Sequence, residues 1–121
     1  MWYDELIPVV LVLTKRPTIA WFVNHYLSSE ADAQNPYAWP IKAKDLSGLP
    51  PAMVITAEFD PLRDEGEAYA TRLREVGVPV VVTRYNGMIH GFVSMAATLD
   101  QGKKAIEEAA AGLRSAFCTA A

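Results

Sequence analysis

Two residues of the sequence, Asp60 and His90, could together carry out acid–base chemistry. A carboxylate that is hydrogen-bonded to an imidazole fixes the tautomer of the ring and stabilises the imidazolium, while the second ring nitrogen takes a proton from a nucleophile. Asp60 follows the short apolar run 53–57, and His90 follows the β-branched and aromatic run 80–85. The chemistry therefore depends on whether the fold brings these two chain positions together.

The segment between the two runs predicts a helix that would bring them together. Pro61 suits a first helical turn, and Gly77 with Pro79 is typical of a helix end. A strand, a helix and a second strand in this order make the strands parallel, with a right-handed crossover. Asp60 and His90 would then leave the carboxyl ends of neighbouring strands, the edge at which open α/β sheets place their sites. We expect their side chains to lie near hydrogen-bonding distance.

The whole pattern predicts an α/β fold with about three parallel strands, at 9–13, 52–57 and 80–85, flanked by helices. Asn86-Gly87 is expected to mark the end of the last strand. A further helix is expected from Pro17 or Thr18, and the proline-rich stretch 28–51 predicts an irregular connection. The last helix is expected over 97–117. Four large apolar residues should form its packing side, namely Leu99, Ile106, Leu113 and Phe117.

Two stretches of the sequence resemble a known family, LSGLPPAMVITAEFDPLRDEGEAYATRLREVGVPV and YNGMIHGF. Both are similar to the C-terminal part of the hormone-sensitive-lipase branch of the α/β-hydrolases, which are serine carboxylesterases and lipases. The resemblance implies that residues 1–121 form a single partial α/β-hydrolase domain. It also implies hydrolysis of carboxylic esters, with an acyl ester as substrate, Asp60 as the triad acid and His90 as the triad base.

The resemblance also implies a nucleophilic serine in a Gly-x-Ser-x-Gly elbow, together with a glycine-rich oxyanion loop, both upstream of the matching stretches. The sequence contains neither. We therefore expect the chain alone to be inactive or nearly so, and its exposed sheet edge to self-associate or to bind a complementing chain. The alternative is a non-catalytic binding or assembly module. None of the sequence's five serines has a glycine at either position that the elbow requires, and these serines are Ser28, Ser29, Ser47, Ser94 and Ser115.

Composition excludes several other classes of function. The 121 residues carry a formal net charge of −3, which gives no basic field for nucleic acid or an anionic membrane. The uncharged run 6–14 is too short to span a bilayer, and no signal peptide is expected. The single Cys118 excludes an internal disulfide and thiolate zinc clusters, which favours a cytoplasmic location. No cofactor is expected. No metal site is expected either, because the acids Asp64, Glu65 and Glu67 are explained by the start of a helix, where negative charge is favourable.

Individual residues also have simpler structural interpretations. Asp60 alone would be a good helix-start residue, and His90 alone could be an ordinary turn or core histidine. His25 is expected to be structural or at the surface. The aromatic residues Trp21, Tyr37 and Trp39 could line a substrate pocket, but aromatic residues of this kind more often pack in a core.

Overall fold

The computed structural model describes residues 16–118, and the expected strand at 9–13 lies outside these residues. Helices and strands alternate through most of the described chain, with short 3₁₀ turns in the connections. In chain order the elements are α1 (Arg16–Tyr26), 3₁₀ turns at Glu30–Gln34 and Pro40–Lys42, β1 (Ala52–Phe59), α2 (Arg63–Glu75), β2 (Val80–Ile89), a 3₁₀ turn at Phe92–Met95, and α3 (Asp100–Cys118).

The strands β1 and β2 form a parallel pair joined by α2, which confirms the predicted parallel arrangement. Pairing begins with Ala52 beside Val80 and continues, after a shift of register, to Phe59 beside Ile89. The prediction that Asn86-Gly87 ends the second strand is wrong. Gly87 takes a positive φ of 76° inside the strand. This conformation suits glycine, so the strand bulges there and then resumes pairing.

The core consists of two small clusters of buried side chains, one on each side of the sheet pair. The first joins Leu46 of the long connection to Leu73 of α2 and Val78. The irregular stretch between α1 and β1 therefore adds buried surface to the fold. The second cluster joins three other elements through Ala57 of β1, Phe92 of the 3₁₀ turn and Ala105 of α3.

Helix α3 packs through small residues, so the prediction that its large apolar residues form the packing side is mostly wrong. Leu99 is partly buried, but Ile106, Leu113 and Phe117 are 47%, 58% and 75% exposed. Gly102 is buried instead, and a Cβ added there would lie 2.7 Å from the carbonyl oxygen of Phe92. The helix approaches the turn after β2 so closely that only small residues fit between the two backbones.

The close approach at Gly102 predicts a cost for adding a single methyl group. Gly102→Ala is expected to lower the free energy of unfolding by about 1–3 kcal/mol, because backbone atoms of Phe92 and Ala96 stand in the way. Gly66→Ala in α2 is the matched control. Its Cβ would meet Thr56 at an ordinary 3.5 Å, and alanine is the better helix former by about 1 kcal/mol. Urea denaturation measures both changes, and a stable Gly102→Ala chain would contradict the packing.

A polar cluster fastens α3 to β2. The Tyr85 hydroxyl donates to a Glu108 carboxylate oxygen at 2.7 Å, and the Thr83 hydroxyl donates to the other oxygen. Burial raises the pKa of Tyr85 to about 12, and the bond to Glu108 contributes further. The bond from Thr83, followed by that from Tyr85, holds the pKa of Glu108 below its usual value.

The raised pKa of Tyr85 predicts a loss of stability in alkaline solution. An unfolded tyrosine ionises near pH 10.0, whereas Tyr85 in the folded chain holds its proton to about pH 12. Its stabilising contribution is therefore complete below pH 10 and is lost between about pH 10 and pH 12. Tyr85→Phe should flatten the dependence of unfolding free energy on pH in this window. The control is Tyr37→Phe, at a side chain that is 93% exposed, and its unfolding free energy should depend on pH as that of the unsubstituted chain does.

Candidate active site

Asp60 and His90 meet at the carboxyl edge of the strand pair, as predicted. His90 Nδ1 lies 2.9 Å from Asp60 Oδ2. An ionised carboxylate only accepts hydrogen bonds, so this contact holds the ring proton on Nδ1 and leaves the lone pair of Nε2 free. The geometry is that of an oriented general base, in which one ring nitrogen is fixed and the other is available for proton transfer.

The two oxygens of Asp60 have different partners. Oδ1 accepts the backbone N–H of Leu62 at 2.8 Å, which closes a tight turn just ahead of α2. Oδ2 is left for His90, and the carboxylate is only 14% exposed. The helix-start interpretation of Asp60 is thus confirmed through Oδ1, while Oδ2 makes the contact with the imidazole that the active-site interpretation requires. The turn also fixes the direction in which the carboxylate faces the imidazole.

His90 is held by the turn that follows β2. Gly91 takes a positive φ of 80°, a conformation that side-chain-bearing residues rarely adopt, and the chain then buries Phe92 at 3% exposure. Phe92 anchors the turn in the core against Tyr85, with ring centroids 5.1 Å apart. The His90 side chain remains 41% exposed, so the ring is fixed on its Asp60 side and accessible elsewhere.

His90 also lines an apolar cavity of about 640 Å³. Trp39 contributes to its wall, whereas Tyr37 is exposed and Trp21 stacks on His25 at 4.0 Å instead. The α1 side chains of this wall were not predicted as pocket residues, although their three- and four-residue spacing indicates one apolar helix face. The cavity is formed by α1, the 3₁₀ turn at 40–42 and the start of α2, including Ile19, Phe22, Tyr26, Ile41, Leu62 and Tyr69.

Comparison with known sequences identifies the family. A family model described as alpha/beta hydrolase fold matches residues 9–94, well over half of the chain. The chain belongs to the α/β-hydrolase family. The predicted resemblance and fold class are thereby confirmed, and residues 16–118 of this α/β-hydrolase contain two parallel strands flanked by helices.

Several relatives of this α/β-hydrolase are esterases or ester hydrolases by name. An arylesterase of Saccharolobus solfataricus is 52% identical over 79 residues, which cover 65% of this chain and 26% of that protein. The carboxylic ester hydrolase LipN of Mycobacterium tuberculosis is 46% identical over 85 residues, covering 69% of this chain and 22% of that protein. The solved structure of a hyperthermophilic esterase from Pyrobaculum calidifontis superposes with a TM-score of 0.84 at 52% identity, covering 88% of this chain and 34% of that one. The chain thus spans about a quarter to a third of these proteins.

Two of the acidic residues after Asp60, namely Asp64 and Glu67, form ion pairs in the α/β-hydrolase structure. Asp64 pairs with Arg63 at 2.7 Å. Glu67 accepts hydrogen bonds from Arg84 at 2.8 Å and from Thr56 at 2.9 Å, and Arg84 lowers the pKa of this carboxyl. Glu67 therefore links α2 to both strands behind the site. Within residues 16–118, no three His, Cys, Asp or Glu side chains gather into a set that could hold a metal ion.

The second histidine lies away from the Asp60–His90 pair. His25 is exposed on α1, where its Nδ1 lies 2.7 Å from the carbonyl oxygen of Trp21 and its ring stacks on that indole. This agrees with the prediction of a structural or surface histidine. No helix within the described part of the chain is long and apolar enough to cross a bilayer.

Proposed function

We propose that the chain is part of a carboxylic-ester hydrolase in which Asp60 and His90 are the acid and the base of a Ser-His-Asp triad. The observation that carries the proposal is the 2.9 Å contact between His90 Nδ1 and Asp60 Oδ2 at the carboxyl edge of the sheet. The esterase names of the relatives and the apolar cavity beside His90 support it.

In the proposed reaction His90 moves protons in both halves. Nε2 takes the hydroxyl proton of the serine as its oxygen attacks the ester carbonyl, and then donates that proton to the departing alkoxide. An acyl-enzyme and an alcohol result. In the second half Nε2 takes a proton from water, the hydroxide attacks the acyl carbon, and the proton returns to the serine as the carboxylic acid leaves. Asp60 stabilises the imidazolium formed in each half.

The serine itself is expected from outside the stretches that carry the resemblance. None of the chain's serines lies in a Gly-x-Ser-x-Gly elbow, and the chain corresponds to only 34% of the Pyrobaculum calidifontis esterase. The proposed activity therefore belongs to an assembled hydrolase, and the 121-residue chain alone should be inactive or nearly so. An apolar acyl or alkyl group is the part of the ester that fits the cavity beside His90.

Two preparations test the proposal. The first is the 121-residue chain, which should neither hydrolyse esters nor become labelled by a fluorophosphonate serine probe. The second is a chimera in which residues 16–118 replace the matching segment of the Pyrobaculum calidifontis esterase, which supplies its own nucleophile. The chimera should hydrolyse esters and become labelled. Stoichiometric labelling of the isolated chain, with ester turnover abolished by His90→Ala, would show that the serine lies within it.

A second candidate is a non-catalytic binding or assembly module, and the sheet favours it. Within residues 16–118 the sheet has two strands, so each strand has an edge without a described neighbour. A strand edge that no strand of the same chain covers is a template for pairing with another chain. We propose that the chain self-associates or pairs with a complementing chain. Sedimentation equilibrium at micromolar concentration should show an oligomer, whereas a monomer that unfolds cooperatively would contradict this candidate.

A further inference from the structure

The ladder between β1 and β2 changes register immediately before the active site. The two strands run in step as far as Ala57, and pairing resumes out of step where Phe59 lies beside Ile89. Glu58 is the single β1 residue in this interval, and it faces residues 86–88 of β2. The second strand therefore carries a bulge at this point, and every position after it is displaced along the first strand.

This displacement aligns Asp60 with His90. Asp60 comes one position after Phe59 and His90 one position after Ile89, so the two side chains leave the strands at the same level. Without the bulge, Asp60 would stand level with Met88. Two residues of a strand span about 7 Å. A displacement of that size would break the 2.9 Å contact between the carboxylate and the imidazole. The contact therefore requires the bulge.

A side chain of the first strand holds the bulge in place. Glu58 Oε2 accepts the backbone N–H of Gly87 at 2.6 Å, at the residue whose φ is 76°. Bulged residues lose their ladder partners, so the carboxylate supplies an acceptor for an N–H of the bulged segment. The Glu58 backbone is fastened in turn, because Arg63 Nη1 donates to its carbonyl oxygen at 2.8 Å.

We propose that Glu58 is a positioning residue that sets the register of β2 and thereby aligns His90 with Asp60. Glu58 acts through the backbone of Gly87 and not on a substrate. Its bearing on ester hydrolysis rests on the proposed function, whereas the alignment itself is a property of the folded chain and is measurable without any activity.

Nuclear magnetic resonance of the 121-residue chain with ¹⁵N-labelled histidine tests the proposal. The sequence has two histidines, so His25 serves as an internal reference. In the unsubstituted chain His90 should show the Nδ1–H tautomer with a downfield proton that exchanges slowly. Glu58→Ala should abolish that downfield resonance and leave the His25 signals unchanged. Glu58→Gln retains an acceptor oxygen and should largely restore the resonance, and Glu107→Ala, at an exposed position of α3, is the matched control.

A downfield His90 proton that persists in folded Glu58→Ala would overturn the proposal. If that variant does not fold, hydrogen exchange at the Gly87 amide of the unsubstituted chain tests the proposal instead. Slow hydrogen exchange supports the bond to Glu58, because Gly87 is exposed and the Glu58 carboxylate accepts its N–H, and exchange at the rate of an open loop overturns it. A chimera that keeps full activity with His90→Ala would contradict the proposed function. It would not affect the resonance measurement on His90, which tests the role of Glu58 separately.

Discussion

Replacing His90 with alanine in the active chimera is expected to lower kcat by about 10⁶-fold, because the group that carries every proton in the proposed reaction is removed. KM should change far less, since a ring that is 41% exposed contributes little to ground-state binding. Steady-state hydrolysis of a short-chain ester, with the concentration of active sites set by fluorophosphonate titration of the unsubstituted chimera, measures the loss.

The matched control for this change is His25→Ala. That histidine is exposed on α1 and stacks on Trp21, and it is not part of the cavity wall. Its removal should leave kcat within about twofold, the scale of an ordinary surface substitution. Equal losses from the two substitutions would show that the chimera is sensitive to any change of histidine and that His90 has no special role.

Replacing Asp60 with asparagine in the same chimera is expected to lower kcat by about 10⁴-fold. The amide keeps an oxygen for the N–H of Leu62, so the turn ahead of α2 should survive. The NH₂ group now faces His90 Nδ1, and because it donates, the ring must place its proton on Nε2. That tautomer cannot accept a proton from the nucleophile. The loss should be smaller than for His90→Ala, because the base is still present in the wrong tautomer.

Asp45 offers a control with the same local geometry as Asp60. Its Oδ1 accepts the backbone N–H of Ser47 at 2.8 Å, which matches the contact between Asp60 and Leu62. Asp45→Asn should leave kcat unchanged, since no imidazole depends on that carboxylate. A chimera in which Asp60→Asn retains full activity would mean that His90 is oriented by another group.

The site pair was predictable from the sequence because crossover topology constrains it. A strand, a helix and a second strand can place Asp60 and His90 only at one edge, and the structure puts them in contact there. The roles of triad acid and base remain predictions, since geometry alone does not demonstrate turnover. The cavity wall from α1 was not predicted, because it depends on how a distant helix packs against the start of α2.

Two features of the fold were mispredicted for different physical reasons. Asn86-Gly87 is a common turn signal, but the bond from the Gly87 N–H to Glu58 lets β2 continue through it. In α3 the apolar spacing does not by itself show which residues are covered, and Ile106, Leu113 and Phe117 are exposed in the structure. Residue size alone favours burying Phe117, whereas the tight approach to the Phe92 backbone requires a residue without a side chain at Gly102.

The parallel crossover also governs when the site can appear during folding. Asp60 and His90 are 30 positions apart in the chain, and closing a loop of that length costs about 3 kcal/mol in chain entropy before any contact compensates it. Helix α2 can form from local contacts on the submicrosecond to microsecond scale, but the ladder between β1 and β2 contains no local contact at all. We therefore expect the carboxylate and the imidazole to meet only after the crossover has closed and the bulge is in register, which would make their hydrogen bond a marker of a late step in folding.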